Sequence, residues 1–226
     1  MPWVPLESNP DVMTKYLHLC GVSEMWSISD VFGLDNELLA YTQTPVKAVI
    51  FLYPLSDKSE KFQEEESKAL AESPTKIPEE LYFIKQFVPN ACGTIALIHA
   101  VANMKDIEIT DGFFKTFIEK TRNFSPEERG KLLENDETLS KAHQELAVEG
   151  QTSHNPEEPV LLHFIAFVHK NGRLFELDGR KVSPVDHGPT TEDTLLNDAA
   201  SVVKKFMARD PDDVRFTVLV INPTQF

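Results

Sequence analysis

Cysteine is scarce in this 226-residue chain, and so are long apolar runs. The only two cysteines, Cys20 and Cys92, exclude a disulfide framework and a zinc site built from several thiolates. The longest apolar runs, residues 48–53 and 160–168, are far shorter than the ~18 residues that a membrane-spanning helix needs. We therefore expect buried strands at both places and no interaction with a membrane.

A secretory signal is also lacking, because the opening MPWVPLE has neither the basic nor the apolar stretch that such a signal carries. Together with the scarcity of cysteine, this predicts a cytoplasmic protein, or one that also enters the nucleus. Thiols stay reduced in those compartments. At least one cysteine is then free to react.

Positive charge is outweighed, with 22 Lys and Arg against 36 Asp and Glu and a net charge of −14. Nucleic acid is not an expected partner, since phosphate binding needs clustered Lys and Arg. An acidic surface suits a basic partner through steering of the encounter. Many soluble proteins are acidic merely for solubility, so both interpretations stay open at this point.

Capping signals and apolar spacing predict the helices. Asn9 before Pro10 favours a helix start and Gly21 favours its end. Ser125, followed three residues later by Glu128, has the pattern of a capping box. The predicted helices are residues 10–20, 91–101, a segment that begins after Ser125, and 192–208.

The dipeptide Asn171-Gly172 is the strongest short-range hairpin signal and predicts a turn between two strands. Helices early in the chain, strands late and one antiparallel hairpin together predict an α+β fold. No repeat or linker divides the chain, so a single domain over residues 1–226 is expected. The predicted strands are residues 47–53, 160–170, 173–177 and 214–222.

Two further segments have weaker patterns. Residues 56–80 are acidic with few large apolar side chains, which predicts a solvated helix or loop outside the chemistry. Residues 81–86 are short and mostly apolar, which is compatible with a strand. Gln86 at the end of this stretch is a candidate hydrogen-bond donor to an oxyanion near Cys92, although most glutamines are surface residues.

The thiol of Cys92 lies in the first turn of a predicted helix. A helix N-terminus lowers the pKa of a thiol, because its unpaired amides carry partial positive charge. Cys20 lies among apolar residues at the end of the first helix, which predicts a buried and inert thiol. On position alone, Cys92 fits a small core residue as well as a nucleophile.

The hairpin register supplies Cys92 with a candidate base. If Asn171-Gly172 is the loop, the numbers of every cross-strand pair sum to 343, so Ile165 opposes Asp178. His163 and Asp178 are then diagonal neighbours on one face, with backbones about 7–8 Å apart. A carboxylate that accepts the imidazole N–H orients the ring, leaving its other nitrogen to take a proton from the thiol.

The remaining histidines have no acid partner that the sequence places. His18 is predicted in the last turn of the first helix, His99 inside the buried helix and His169 beside the hairpin turn. The other three are predicted in polar surroundings: His143, His154 and His187. His163 is therefore the predicted general base.

Several segments resemble the ubiquitin carboxyl-terminal hydrolases. QFVPNACGTIALIHAVAN at residues 86–103 and LHFIAFVHKNGRLFELDGRK at 162–181 are similar to the active-site signatures of this family. PLESNPDVMTKYLHLCGV, SPEERGKLLEND and KKFMARDPDDVRF extend the likeness over essentially the whole chain. The resemblance implies an α/β/α papain-like fold with an antiparallel central sheet, a knotted backbone, and no metal or cofactor.

The resemblance also implies a function. Cys92 becomes the nucleophile, His163 the base, Asp178 its orienting acid and Gln86 the oxyanion donor. The implied reaction is hydrolysis at the carboxyl end of ubiquitin through a thioester, with release of small adducts by a monomeric enzyme. The implied contacts with ubiquitin are Leu6, Asp30, Leu162 and Asp213. Residues 148–159 are implied to form a segment that crosses the active site.

Two other functions stay open at this stage. A protein that holds ubiquitin without turnover would use the same surface. A thiol-dependent acyltransferase would share the same catalytic side chains. Release of a fluorescent leaving group from the ubiquitin carboxyl terminus, compared with an unrelated peptide ester, separates them.

Overall fold

The computed structural model describes residues 3–72, 76–147 and 160–225. Within these ranges, six strands form one sheet, and each neighbouring pair in it is antiparallel. The strands are β1 Trp26–Asp30, β2 Ala48–Pro54, β3 Leu162–Lys170, β4 Arg173–Leu177, β5 Val185–Pro189 and β6 Thr217–Pro223. They lie side by side in the order β1-β6-β2-β3-β4-β5, so β2 and β3 are central.

Helices cover both faces of this sheet. They are α1 Pro10–Leu19, α2 Asn36–Leu39, α3 Asp57–Glu72, α4 Cys92–Asn103, α5 Phe113–Thr121, α6 Pro126–Glu134, α7 Glu137–Ala147 and α8 Leu195–Arg209. Among the residues that the structure describes, every helix is too short or too polar to span a bilayer.

The two faces of β2 belong to separate hydrophobic clusters. Ile50 and Leu52 pack in the cluster that includes α1 and α4, whereas Val49 and Phe51 pack in the cluster that includes α8. Every residue of β2 is buried, because a strand covered on both faces needs a continuous apolar run rather than an alternating one. The predicted helix–sheet–helix arrangement with an antiparallel sheet is confirmed. The knotted backbone stays a prediction.

The predicted helix starts at Pro10 and after Ser125 are confirmed with their caps. The Asn9 side chain accepts from the backbone of Asp11, at 3.0 Å, and of Val12. Ser125 Oγ accepts from the Glu128 N–H at 3.2 Å, and the Glu128 carboxylate accepts from the Ser125 N–H at 2.8 Å. Both helix ends are therefore specified locally.

The last helix begins three residues later than its apolar spacing predicts. The hydroxyls of Thr191 and Thr194 each accept from the other residue's backbone N–H, at 3.1 and 3.0 Å. This pair of bonds closes a turn over residues 191–194, immediately before the helix. The first regular residue of α8 is Leu195.

The last strand also begins later than predicted. Val214 is 87% exposed, and the Asp213 carboxylate accepts from the backbone and guanidinium of Arg215. These bonds form a local turn, and β6 starts at Thr217. The predicted start at Val214 is wrong because valine favours strands but this valine has no neighbouring strand to pair with.

Residues 81–86 form an extended segment without a strand. Asn103 takes the place of a neighbouring strand, since its side chain accepts from the Tyr82 N–H and donates to the Tyr82 carbonyl, both at 2.8 Å. The Lys85 N–H donates to the carbonyl of Pro126 at 3.0 Å. The segment is thus fixed to α4 and α6, and it delivers Gln86 next to the start of α4.

Candidate active site

Cys92 is the first residue of α4 and is 7% exposed. Ala91 occupies the N-cap position and offers no side-chain cap. The amides of the first turn are therefore available to a negative group at the thiol. The next residue is Gly93, and a larger side chain would not fit there: its Cβ would lie 3.0 Å from the Leu6 side chain, which packs against this turn.

His163 and Asp178 meet as the hairpin register predicts. Pairs from Ala166 with Leu177 to Lys170 with Arg173 have the predicted alignment, and Asp178 lies one residue beyond β4. The His163 Nε2–H donates to Asp178 Oδ1 at 2.8 Å, with both side chains buried. This bond leaves Nδ1 of His163 for the thiol of Cys92.

The electrostatics of the site favour a thiolate beside an imidazolium. Burial opposes ionisation of Cys92, but hydrogen bonding and charge from His163 and a backbone N–H from Phe164 hold its pKa below the ordinary thiol value. Burial also opposes charge on His163, yet Asp178 and Cys92 raise its pKa well above the usual histidine range. Both pKa shifts therefore favour transfer of the thiol proton from Cys92 to His163.

Asp178 stays ionised inside the protein. Burial raises its pKa, and the charges of His163 and Lys181 together with the Arg180 N–H, 2.9 Å from Oδ1, lower it far below the usual carboxyl range. A permanently charged carboxylate fixes the tautomer of His163 and stabilises the imidazolium. This is the orienting role that the sequence predicts for it.

Gln86 is held in place by two hydrogen bonds. Its Nε2 donates to the carbonyl of Val88 at 3.1 Å, which leaves one N–H for another acceptor. Its backbone N–H donates to the carbonyl of Gly179 at 2.9 Å. The turn that follows Asp178 and the candidate oxyanion donor are thus joined directly.

Gly179 makes this junction possible, and replacing it tests the geometry. A Cβ at position 179 would lie 2.9 Å from the Cβ of Gln86 and 3.0 Å from Cγ2 of Ile95. Gly179→Ala should push the turn away and lower kcat about 10- to 100-fold, since sub-ångström displacements of catalytic groups are costly. Steady-state kinetics alongside thermal unfolding measure this. An unchanged kcat in the folded variant would show that the spacing is not critical.

Two residues near His163 escape prediction from the sequence. Tyr53 is 1% exposed and presents its ring edge-on to the imidazole, with centroids 5.7 Å apart. Its hydroxyl accepts from Gln63 Nε2 at 3.1 Å. Arg180 forms a two-point ion pair with Glu60 at 2.9 and 2.7 Å. Gln63 and Glu60 belong to α3, so the predicted solvated helix is confirmed, and it contacts the surroundings of the site without supplying a catalytic side chain.

The other histidines have structural partners. His143 is fully buried, with Nδ1 accepting from Thr94 Oγ1 at 2.8 Å and Nε2 donating to the Val4 carbonyl at 2.5 Å. His187 Nε2 bonds to Glu176 at 2.8 Å. The predicted polar surroundings are wrong for His143, because α7 turns it inward, and the sequence misses the acid partner of His187. His154 lies outside the described residues.

Buried His99 gives the fold a pH dependence. It stacks on Phe83, and burial lowers its pKa from 6.5 to about 4. A histidine with a lowered folded-state pKa contributes stability above its unfolded pKa and loses it as pH falls toward the folded value. We expect roughly 3 kcal/mol of stability from this group to be lost between pH 6.5 and 4.

Chemical denaturation at pH 7, 6, 5 and 4.5 measures the loss. His99→Gln should be less stable at pH 7 but lose less stability on acidification than the native protein. His169→Gln is the matched control, because His169 is only partly buried beside the hairpin turn. Parallel pH curves for the native protein and His99→Gln would contradict the assignment.

The four predicted ubiquitin contacts differ in exposure. Asp30 is exposed at the end of β1, and partly buried Leu162 begins β3 beside His163. Leu6 is 5% exposed and packs in the core, so the structure does not place it as a surface contact. Asp213 is 13% exposed and paired with Arg215, so its charge is already compensated. Residues 148–159, predicted to cross the site, lie outside the described ranges.

Two further observations bear on the chemistry. Cys20 is 1% exposed, and burial raises its pKa to about 12, as expected of an inert thiol. Within the described ranges, no three His, Cys, Asp or Glu side chains are grouped so that they could hold a metal ion.

The family model and the relatives that match this chain are all ubiquitin carboxyl-terminal hydrolases. Residues 3–208 match the family model described as ubiquitin carboxyl-terminal hydrolase, family 1. A ubiquitin carboxyl-terminal hydrolase of Drosophila melanogaster is 52% identical over 225 residues, which is 100% of this chain and 99% of the relative. Isozyme L1 of Rattus norvegicus is 40% identical, with 96% of each chain covered.

A solved structure shares the fold. The Trichinella spiralis UCH37 catalytic domain bound to ubiquitin vinyl methyl ester superposes with a TM-score of 0.79, covering 99% of this chain and 97% of the other at 23% identity. The long family match and the close relatives agree with the site geometry. The chain therefore belongs to the ubiquitin carboxyl-terminal hydrolase family 1.

Proposed function

We propose that this protein is a thiol-dependent hydrolase that cleaves esters, thioesters, amides and short peptides from the carboxyl-terminal glycine of ubiquitin. The observation that carries the proposal is the buried line of Cys92, His163 and Asp178, with a 2.8 Å bond between the last two. The pKa of Cys92 is lowered and that of His163 raised, as a nucleophile and its base require. None of the described features favours a role in binding alone.

The reaction follows from these positions. The Cys92 thiolate attacks the carbonyl carbon of the terminal glycine, and the oxyanion accepts from the first-turn amide of α4 and from Gln86. The His163 imidazolium gives its proton to the leaving amine or alkoxide as the bond to it breaks, leaving a thioester. Neutral His163 then takes a proton from water, the hydroxide attacks the thioester, and the Cys92 thiolate is released.

The proposed leaving groups are small adducts and short peptides. A fluorogenic amide of the ubiquitin carboxyl terminus should be cleaved rapidly, and folded di-ubiquitin slowly or not at all. A peptide amide with the same last residues but no ubiquitin fold is the control for recognition. Equal cleavage of that peptide would contradict ubiquitin as the substrate, and rapid di-ubiquitin cleavage would contradict only the size limit.

Salt dependence tests the acidic surface. Asp30 is exposed, whereas Asp213 is paired, so Asp30 is the better candidate for attracting a basic partner. Asp30→Lys should flatten the fall of the association rate with ionic strength. Glu108→Lys, past the far end of α4, makes the same change in net charge as a control. Equal salt slopes for both variants would mean that only net charge matters.

We further propose that the enzyme is a monomer that works in the cytoplasm or nucleus. A reducing compartment suits a chain whose two cysteines are unpaired, one of them the proposed nucleophile. Light scattering at working concentration tests the monomer. Fractionation of the native cells tests the location.

A further inference from the structure

An ion cluster lies inside the protein behind Asp178. The Lys181 ammonium, 2% exposed, bonds to Glu176 of β4, which is fully buried, and to Glu66 of α3, which is 18% exposed. The second Glu176 oxygen accepts from His187 of β5. Among the described residues, Lys181–Glu176 and His163–Asp178 are the only ion pairs in which both side chains are under 5% exposed.

Lys181 is joined to the turn that carries Asp178. Its backbone N–H donates to the Asp178 carbonyl at 3.0 Å, which closes the turn. Its own carbonyl accepts from the ammonium of Lys85, in the extended segment that ends at Gln86. The Lys181 backbone therefore links the turn of the catalytic acid to the segment that carries the oxyanion donor.

Helix α3 closes the outer side of this turn. A polar cavity of about 560 Å³ separates them, lined by residues of α3 and by Asp178, Arg180 and Lys181. Two residues of α3 bridge to the turn: Glu60 bonds to Arg180, and Glu66 bonds to Lys181. With both contacts made, Asp178 is only 1% exposed although it borders the cavity.

The positive charge of Lys181 also supports the catalytic acid. Burial raises the pKa of Asp178, and the Lys181 ammonium counters this after His163. A buried ion pair is weak as a source of stability, since apolar side chains of equal volume often do as well. Its specific consequence here is a fixed positive charge three residues from the catalytic acid.

We propose that Lys181 is a positioning residue for the proposed reaction: held between Glu176 and Glu66, it docks α3 against the turn and keeps Asp178 oriented toward His163. The inference rests on the proposed hydrolase function. The charged or titratable groups around the cluster, from each neighbouring element, are Tyr53, Glu60, Glu66, Lys85, Glu176, Asp178, Arg180, His187 and Arg209.

Lys181→Met tests the proposal, because methionine keeps the length of the side chain without its charge. We expect kcat on the fluorogenic ubiquitin amide to fall about tenfold with KM little changed. The acid limb of the pH profile should move to higher pH, because Asp178 then takes up a proton more readily. Lys68→Met is the control, since Lys68 forms an exposed pair within α3.

The double variant Lys181→Met/Glu176→Gln separates the effect of the Lys181 charge on catalysis from its effect on stability. It removes the carboxylate that Lys181→Met leaves unpaired, so stability should recover while kcat and the acid limb stay altered. It also carries the test if the single variant does not fold. Glu66→Gln should loosen α3 and lower kcat without moving the acid limb, and Lys181→Arg should retain the native pH profile.

The outcomes are distinguishable. Native kcat and a native acid limb in folded Lys181→Met would overturn the proposal, and so would full recovery of both in the double variant, which would make the role structural only. If the native protein itself does not cleave the ubiquitin amide, the proposed function fails instead. A tenfold loss with a shifted acid limb that the double variant retains supports the proposal.

Discussion

Replacing Cys92 with alanine is expected to lower kcat for the fluorogenic ubiquitin amide by at least about 10⁴-fold. Without Sγ no thioester forms, and neither the helix-start amides nor Gln86 supplies a nucleophile. The dissociation constant for ubiquitin should change little, because a side chain only 7% exposed adds almost nothing to a large contact surface. Steady-state kinetics and calorimetry on the same preparation measure the two quantities.

Cys20→Ala is the matched control. Cys20 is buried at the end of α1 and has a raised pKa, so its loss should reduce stability and leave kcat unchanged. Retained turnover in the Cys92 variant would remove Cys92 as nucleophile. Loss of turnover in a folded Cys20 variant would point to the other thiol.

The second large effect is expected at His163. His163→Ala should lower kcat about 10³-fold or more, because the thiolate loses its counterion and the leaving group loses its acid. The loss of kcat in Asp178→Asn should be roughly 100-fold smaller than in His163→Ala, since the base remains in place but is poorly oriented. Nearly equal losses from the two changes would mean that Asp178 does more than orient the ring.

Alkylation separates the electrostatic part of this claim from turnover. Iodoacetamide reacts with the thiolate, so the pH at which Cys92 becomes reactive reports its pKa. In the native protein this pH should lie below that of an ordinary thiol, and in His163→Ala it should rise. An identical pH dependence in both proteins would show that His163 does not ionise Cys92.

The hairpin was open to prediction because its geometry is local. The loop Asn171-Gly172 has positive φ at both residues, 50° and 77°, as a two-residue turn requires. Once the turn is fixed, the register follows by counting, and it places Asp178 diagonally from His163. The helix start at Cys92 was equally accessible, since Pro89 and Asn90 precede a mostly apolar segment.

The role of α3 was not accessible in the same way. Its acidic residues look like a solvated face, and Glu60 and Glu66 find their partners more than 100 positions later in the chain. Contacts of that separation leave no periodic signal. A clue existed at Lys181, because a lysine in the turn after a buried strand needs a carboxylate to offset its desolvation if it is buried too.

Some secondary structure was also missed for physical reasons. β5 contains Asp186, Gly188 and Pro189, which are poor strand formers, and it is held as an edge strand by its pairing with β4. The strand-like segment that ends at Gln86 is held instead by the side chain of Asn103. Tertiary partners override local preference at both places.

The most direct test of the account is covalent capture by ubiquitin with an electrophile in place of its terminal glycine carboxylate. The protein is incubated with this probe, and intact mass and peptide mapping give the number and position of adducts. The account predicts one adduct per chain, on Cys92, that is lost in Cys92→Ala and strongly slowed in His163→Ala. An adduct on Cys20, or the absence of any adduct under conditions in which the native protein is folded, would contradict it.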